Sequence, residues 1–313
     1  MKKLTFLLLL IVVLVITAVY YLIPDTLTVV ETARVNCIAD AAFRTLSNEN
    51  AWSEWWPGKT QPSKQSPAGY QLNTTIYTVH QKMMNNLGLL INHNGDSIDS
   101  HMSLLNLPND SCIIKWQCSL TTGRNPFQRI KAYREALALK ENMHTVIVAA
   151  QAFLNRFDNI YGFTLKEAST KDTALITTKS FSASYPSTAF VYSLIDKLRA
   201  FCQKANGTIT GIPMLNVTPV DTAGYQVMVA LPIERFLAAG GDIKSQKMIP
   251  GRFIITDVTG GPHTIKQTHL QLLNYFRDYH RTSMAIPFEY LVTDRLQEPD
   301  TSKWLTRIYS PVY

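Results

Sequence analysis

Charge is scarce in this chain. Only 17% of its 313 residues are Asp, Glu, Lys or Arg, and the net charge of +7 is spread along the sequence. The densest positive group, Arg124 to Lys140, reads as the solvated face of a helix, with acidic lipid or nucleic acid as the surfaces it would otherwise suit. Cysteine is scarcer still. Cys37, Cys112, Cys118 and Cys202 form no CxxC pair. Cys112 and Cys118 lie six positions apart in one apparent strand, about 20 Å, too far to bridge each other. All four read as buried thiols and carry no information on redox compartment. His80, His93 and His101 fall in different segments, and His263, His269 and His280 make no i, i+4 pair, so zinc-ligand spacing is missing. There is no Gly-rich phosphate loop, nucleophile elbow or Cys/His dyad. Gly240-Gly241 and Gly260-Gly261 stand alone as turn signals. No cofactor or metal is implied.

What the chain does have is a long apolar run. Leu4 to Ile23 carries no charge and follows Lys2 and Lys3. Such a length, about 20 residues, spans a bilayer core. A cleaved signal would end in a small-x-small site. Here Ala18-Val19-Tyr20-Tyr21-Leu22-Ile23-Pro24 stands instead, with two tyrosines suited to the interface. Residues 1–24 are therefore expected to be an uncleaved, single-pass anchor in the cell membrane, spanning through residues 4–23. Lysines before the run, and Asp25 and Glu31 after it, place the N-terminus in the cytoplasm and the rest outside it. The remaining ~290 residues, in a chain 46% apolar, suffice for two ordinary domains with real cores.

Leu27 to Asn36 alternates as a strand, and Ala39 to Leu46 reads as a short helix. Trp52-Ser53-Glu54-Trp55-Trp56-Pro57 follows, closed by Gly58. From Tyr70 to Leu120, segments rich in Thr, Ile, Tyr and Val alternate with turns such as Asn94-Gly95-Asp96 and Pro108-Asn109-Asp110, the pattern of an antiparallel meander. After Gly123 the period changes, and Glu141 to Asn159 has helical spacing through Val146, Ala149, Phe153 and Phe157. The stretch Asn36 to Pro57, with its W..WWP segment, resembles the opening of the SRPBCC (START and polyketide-cyclase-like helix-grip) superfamily. The resemblance covers roughly residues 27 to 160. It implies a curved antiparallel sheet around a long closing helix, with an apolar cavity between them. Trp52, Trp55 and Trp56 would roof that cavity, grip a membrane surface, or pack the helices onto the sheet.

Tyr161 to Thr173 is polar and reads as a linker. Beyond it the chain repeats itself. Ile212-Pro213-Met214-Leu215-Asn216-Val217 returns as Ile286-Pro287-Phe288-Glu289-Tyr290-Leu291. Each copy precedes a strand ending alike, Leu231-Pro232-Ile233 and Ser310-Pro311-Val312. The expected elements of the first copy are a strand at Ala174–Ala183, a helix at Thr188–Ala205, and strands at Ile212–Val217 and Tyr225–Ile233. The second copy runs Gly251–Val258, Thr264–Arg281, Ile286–Thr293 and Lys303–Val312, its helix showing Leu270, Leu273, Phe276 and Tyr279 at three-to-four-residue spacing. A duplicated strand-helix-strand-strand unit with a pseudo-two-fold axis follows.

This half resembles the GyrI-like (AraC-type effector-binding) small-molecule-binding domain. The carrying residues are Pro250-Gly251-Arg252, Gly260-Gly261-Pro262, and the tail from Phe288 through Glu289 and Asp294 to Asp300 and Trp304. That tail resembles the family's E-x-Y-x-x-D-P…D-x-x-x-W ending. The resemblance implies a cleft between two joined units, with a buried glutamate ringed by aromatics that takes cationic or aromatic ligands. No helix-turn-helix precedes the stretch; an anchor and a helix-grip segment stand there instead, so nucleic acid is not an expected partner.

The resulting expectation is an α+β chain: anchor (1–24), helix-grip domain (25–165) and GyrI-like domain (170–313). A carboxylate inside an apolar strand is costly unless paired or functional. Glu289 is accordingly the leading candidate for contact with a small hydrophobic or cationic ligand, with Tyr290, Trp304 and Tyr225 offering aromatic faces for cation–π contact. The bland alternative is a solvated Glu289, or one paired with Arg252 or Arg307. The expected function is non-catalytic binding of a small amphipathic or cationic molecule. Its rival is a hydrolase using Glu289 as general base. A third reading is an interaction protein whose cavities are filled by its own side chains. Oligomeric state is not legible.

Overall fold

The computed structural model describes residues 2–61, 69–170, 174–220, 223–248, 250–283 and 285–312. The chain divides into two compact units, Met1–Ile160 and Tyr161–Tyr313, in an α+β arrangement with one antiparallel sheet in each.

The first unit opens with helix α1 (Lys2–Leu22), whose apolar side chains from Phe6 to Ile16 stand exposed. Among the described residues no helix is long and apolar enough to cross a membrane. The side chains at positions 2, 3 and 5 of α1, including the two flanking lysines, lie outside the described set. Where α1 ends, Arg129 is buried rather than solvated, unlike the rest of the expected basic face. It pairs with Asp25, donates to the Ile23 carbonyl at 2.6 Å and lies 4.5 Å over the Tyr20 ring.

Strand β1 (Thr26–Val35) leads into α2 (Ala39–Leu46) and a 3₁₀ turn over Glu49–Glu54. Then come β2 (Lys59–Gln61), β3 (Gly69–Leu72), β4 (Thr75–Met83), β5 (Asn86–His93), β6 (Asp96–Leu107) and β7 (Ser111–Thr121). The sheet order is β1-β7-β6-β5-β4-β3-β2, the expected meander closed by its first strand. Its turns rest on residues that tolerate a left-handed backbone. Asn94 and Gly95, with φ of 51° and 91°, join β5 to β6 as a two-residue hairpin loop.

The closing helix α3 runs Pro126–Leu154 and starts well before Glu141. Asn125 caps it by accepting from the Phe127 N–H at 2.9 Å, and Pro126 occupies the first turn, where no donor is needed. It also stops before Asn159; a separate short helix, α4 (Phe157–Tyr161), follows. Leu139, Met143, Val146, Ile147 and Ala150 of α3 are buried, as are Tyr77, Met102, Ile114 and Trp116 of the strands. Trp52, Trp55 and Trp56 are likewise buried and belong to an aromatic chain. Trp52 stacks on Trp56 at 5.4 Å, Trp56 meets Tyr77 edge-on at 5.3 Å, and Tyr77 meets Trp116 at 5.6 Å. Trp52 also donates to the Leu46 carbonyl at 2.7 Å. The three tryptophans are therefore core packing.

The second unit contains β8 (Lys166–Thr170), β9 (Ala174–Ser182), α5 (Thr188–Lys204), β10 (Met214–Val220), β11 (Gly224–Ile233), β12 (Lys244–Lys247), β13 (Gly251–Thr259), α6 (Pro262–Asp278), β14 (Phe288–Leu291) and β15 (Leu305–Val312). The linker reading fails at β8, which pairs with β13 from Gly251↔Thr170 to Ile255↔Lys166. Lys171 to Thr173 lie outside the described residues. β12 was not foreseen, and the last strands are shorter than expected, with Thr301–Lys303 forming a 3₁₀ turn. The apolar stripe read from Leu270 and Leu273 is also wrong. Both are exposed, and α6 buries Ile265, Thr268, Leu272 and Tyr275 instead, a stripe two positions along.

The sheet order β12-β9-β11-β10-β14-β15-β13-β8 displays the duplication. From the outside inward each copy gives its first, third and second strand, and the copies meet at β10 and β14. One face carries the core shared with α5, including Val227, Val229, Leu231, Leu215 and Leu291. The other carries a smaller cluster of Leu175, Met214, Ala230 and Met248, joined by Phe288 and Tyr290.

Candidate functional site

Glu289 sits at the centre of that sheet. β14 is four residues long and hydrogen-bonded on both sides, to β10 through Leu215↔Glu289 and to β15 through Glu289↔Ile308. Alternation along β14 buries Glu289 and Leu291 on the helical face. Only 6% of Glu289 remains exposed.

The carboxylate is met by two side chains. Nε2 of His269, on α6, lies 2.9 Å from Oε1. A guanidinium nitrogen of Arg295 lies 3.8 Å from Oε2. Arg295, its side chain 10% exposed, has further partners: it donates to Thr306 Oγ1 at 2.8 Å and lies 4.8 Å over the Trp304 ring. Its backbone N–H donates to the Tyr192 hydroxyl at 2.7 Å. Burial lowers the Arg295 pKa, and the Glu289 charge opposes that shift. Trp304 is fixed in turn by donating Nε1–H to the Glu298 carbonyl at 2.8 Å.

Tyrosines complete the surroundings. Tyr225 begins the β11 alternation that continues through Val227 and Val229, so it shares the helical face with Glu289. Its ring meets Tyr185 edge-on at 5.5 Å. Although nearly half of Tyr185 is exposed, burial and then the Glu289 charge push its phenol up to about 12, with Arg295 pulling the other way. Burial likewise raises Tyr192.

Of the residues chosen from sequence, Glu289, Trp304 and Tyr225 fall on one side, Trp304 reaching Glu289 through Arg295. Tyr290 does not join them. It points to the opposite face, 4.9 Å from the Tyr309 ring and 5.5 Å from Phe288. Strand period two separates consecutive residues, and that rule alone would have removed Tyr290. The expected alternatives for pairing also fail: Arg252 binds Glu167 at 2.6 Å and Arg307 binds Asp257 at 2.6 Å. His269, Arg295 and Tyr185 were missed. For Arg295 a signal existed, because it follows Asp294 where the resembled ending has proline.

The face bearing Tyr290 has a cavity of about 330 Å³, lined among others by Met214, Met228, Met248, Phe253 and Phe288, with Gln246 as a polar edge. Among the described residues no group of three or more His, Cys, Asp or Glu side chains is placed to hold a metal ion. The His269–Glu289 pair can hold or move a proton at Oε1. The site as a whole brings together one carboxylate, one imidazole, one guanidinium and aromatic rings.

No protein-family model matches the chain, and no curated protein matches it in sequence. Some solved structures are similar to it over part of its length. The EcmrR C-terminal domain is 15% identical, with 48% of this chain covering 98% of that one at a TM-score of 0.43. SAV2435 bound to tetraphenylphosphonium is 14% identical, with 48% and 93% covered at 0.29. A hydrolase from Listeria innocua is 9% identical, with 48% and 91% covered at 0.37. These likenesses concern about half of the chain and assign it to no family.

Proposed function

We propose that this chain is a membrane-anchored protein whose second unit, a GyrI-like domain by the resemblance of its residues, binds a small amphipathic or cationic molecule without chemical turnover. The observation that carries the reading is the Glu289 carboxylate, buried on an apolar sheet face beside Arg295 and His269. A buried ion pair is a poor source of stability, since desolvation cancels most of its attraction. A charged pair held there without a clear gain in stability is better accounted for by a binding role. Trp304 is already covered by Arg295, so a ligand would meet the outer ring of Tyr185 and Tyr225 and approach the carboxylate past His269, the more exposed of its two partners.

The anchor reading is supported by α1 and its exposed apolar side chains, and by the lysines that precede the run. It places the N-terminus in the cytoplasm and both units outside it. The first unit, with its helix-grip element order, contributes a core filled by tryptophan and tyrosine rings.

The test is a titration of the full-length protein in detergent with a panel of lipophilic aromatic cations, followed by tryptophan fluorescence. Saturable binding that Glu289→Gln abolishes is expected; binding indifferent to that change defeats the assignment. The rival hydrolase reading draws on the His269–Glu289 pair as a proton acceptor. Turnover of an activated ester or epoxide that disappears in Glu289→Gln would establish it instead. A reporter after Tyr313 that is active in the cytoplasm would overturn the orientation.

A further inference from the structure

Cys37 and Cys112 stand apart from the site above. Cys112 has two ladder neighbours, Val35 on β1 and Asn106 on β6. The chain leaves β1 at Val35 and reaches α2 at Ala39, whose backbone N–H donates to Asn106 Oδ1 at 2.7 Å. The crossover from Val35 to Ala39 thus runs from one neighbour of Cys112 to the other, and Cys37 is its midpoint. Cys112 belongs to the buried alternation of β7 with Ile114, Trp116 and Cys118. Cys37 and Cys112 keep 1% and 0% of their surface exposed.

The Cys37 side chain hydrogen-bonds Cys112, and this contact outweighs burial in holding the Cys112 thiol below the ordinary thiol range. Cys118 differs. It meets the sulfur of Met143 at 3.8 Å, and burial pushes its thiol up to about 11. Cys202 lies in the other unit, where burial raises it too.

We propose that Cys37 and Cys112 form a cystine site, a cross-link between the β1–α2 crossover and β7 made by an external disulfide oxidant. The Cys112 thiolate attacks one sulfur of the oxidant, and one thiol leaves. Cys37 then loses its proton and attacks the Cys112 sulfur of the mixed disulfide, releasing the second thiol. Two protein thiols become one disulfide, and one external disulfide becomes two thiols. Because both sulfurs are buried, the exchange takes place as the chain folds or when the crossover lifts. The bond closes a long loop holding β2 to β6, which restricts the unfolded chain and raises the unfolding temperature. This chemistry is independent of what the second unit binds.

The experiment refolds full-length protein in detergent with either glutathione disulfide or dithiothreitol. Thiols are then counted after denaturation, and non-reduced peptides are mapped by mass spectrometry. Two of the four cysteines are expected to remain free after oxidative refolding, with one cross-linked peptide pair containing Cys37 and Cys112. The double variant Cys118→Ser/Cys202→Ser retains the cross-link, whereas Cys37→Ser leaves its three remaining thiols free. Four free thiols in oxidatively refolded protein, or a cross-link joining any other pair, would overturn the proposal.

Discussion

Leu215 and Glu289 lie opposite each other across the β10–β14 ladder, and they occupy the same position in the two repeats. Equivalent residues face each other only where a pseudo-two-fold axis passes between them. The duplication therefore breaks its symmetry on its own axis, with an apolar residue on one side and a carboxylate on the other.

Placing a second carboxylate on that axis should be badly tolerated. Leu215→Glu is expected to cost about 3 kcal/mol or more at neutral pH, because two buried like charges cannot both stay ionised. The introduced group would have a raised pKa. Its neutral form is the one the folded state accepts, so the variant should lose stability as pH rises. Urea midpoints measured between pH 4 and 8 would show the variant diverging downward from the parent.

Arg295 and Glu289 should couple. Arg295→Met is expected to cost about 2–4 kcal/mol, since it leaves Glu289 with His269 alone and strips Trp304 of its cation. In a cycle with Glu289→Gln the losses should fall short of additive by about 1–2 kcal/mol. Binding should move the other way. With the internal cation gone, affinity for lipophilic cations should rise, as calorimetric titration would detect.

Tyr185 offers a spectroscopic report on the same carboxylate. Burial and then the Glu289 charge hold its phenol up to about 12. Glu289→Gln should lower that value in an ultraviolet pH titration, while Tyr290→Phe, on the opposite face, should leave it alone. A phenol pKa raised on folding lends stability that is complete below the ordinary tyrosine value near 10 and is lost as pH climbs through 12.

The start of α3 depends on one side chain. Asn125→Ala removes the acceptor of the Phe127 N–H and should cost about 1 kcal/mol in denaturant unfolding. Asn125→Asp should recover most of it.

Much of the architecture could be read from local signals. Asn94-Gly95 announced its hairpin, Ala39 to Leu46 its helix, and the Ile-Pro echo its duplication. Other features were hidden for identifiable reasons. Asn125 and Pro126 are a cap signal that apolar periodicity does not weigh, so periodicity alone starts α3 too late. On α6, Leu270 and Leu273 imitate a core stripe, but the buried stripe includes Thr268, which pattern counting passes over. At the site, Tyr290 has suitable chemistry, but strand parity turns it to the opposite face. Arg295 and His269 come from a loop and a helix, and no spacing rule in one sequence brings those to a third element.

Strand β8 has a practical bearing on any attempt to isolate the second unit. With β12, it occupies the outermost position of an eight-stranded sheet and hydrogen-bonds to β13. A fragment begun at Ala174 would lack it and present β13 as a bare, hydrogen-bonding edge, the kind of surface that recruits other chains into aggregates. A fragment begun ahead of Lys166 would carry its own protective border.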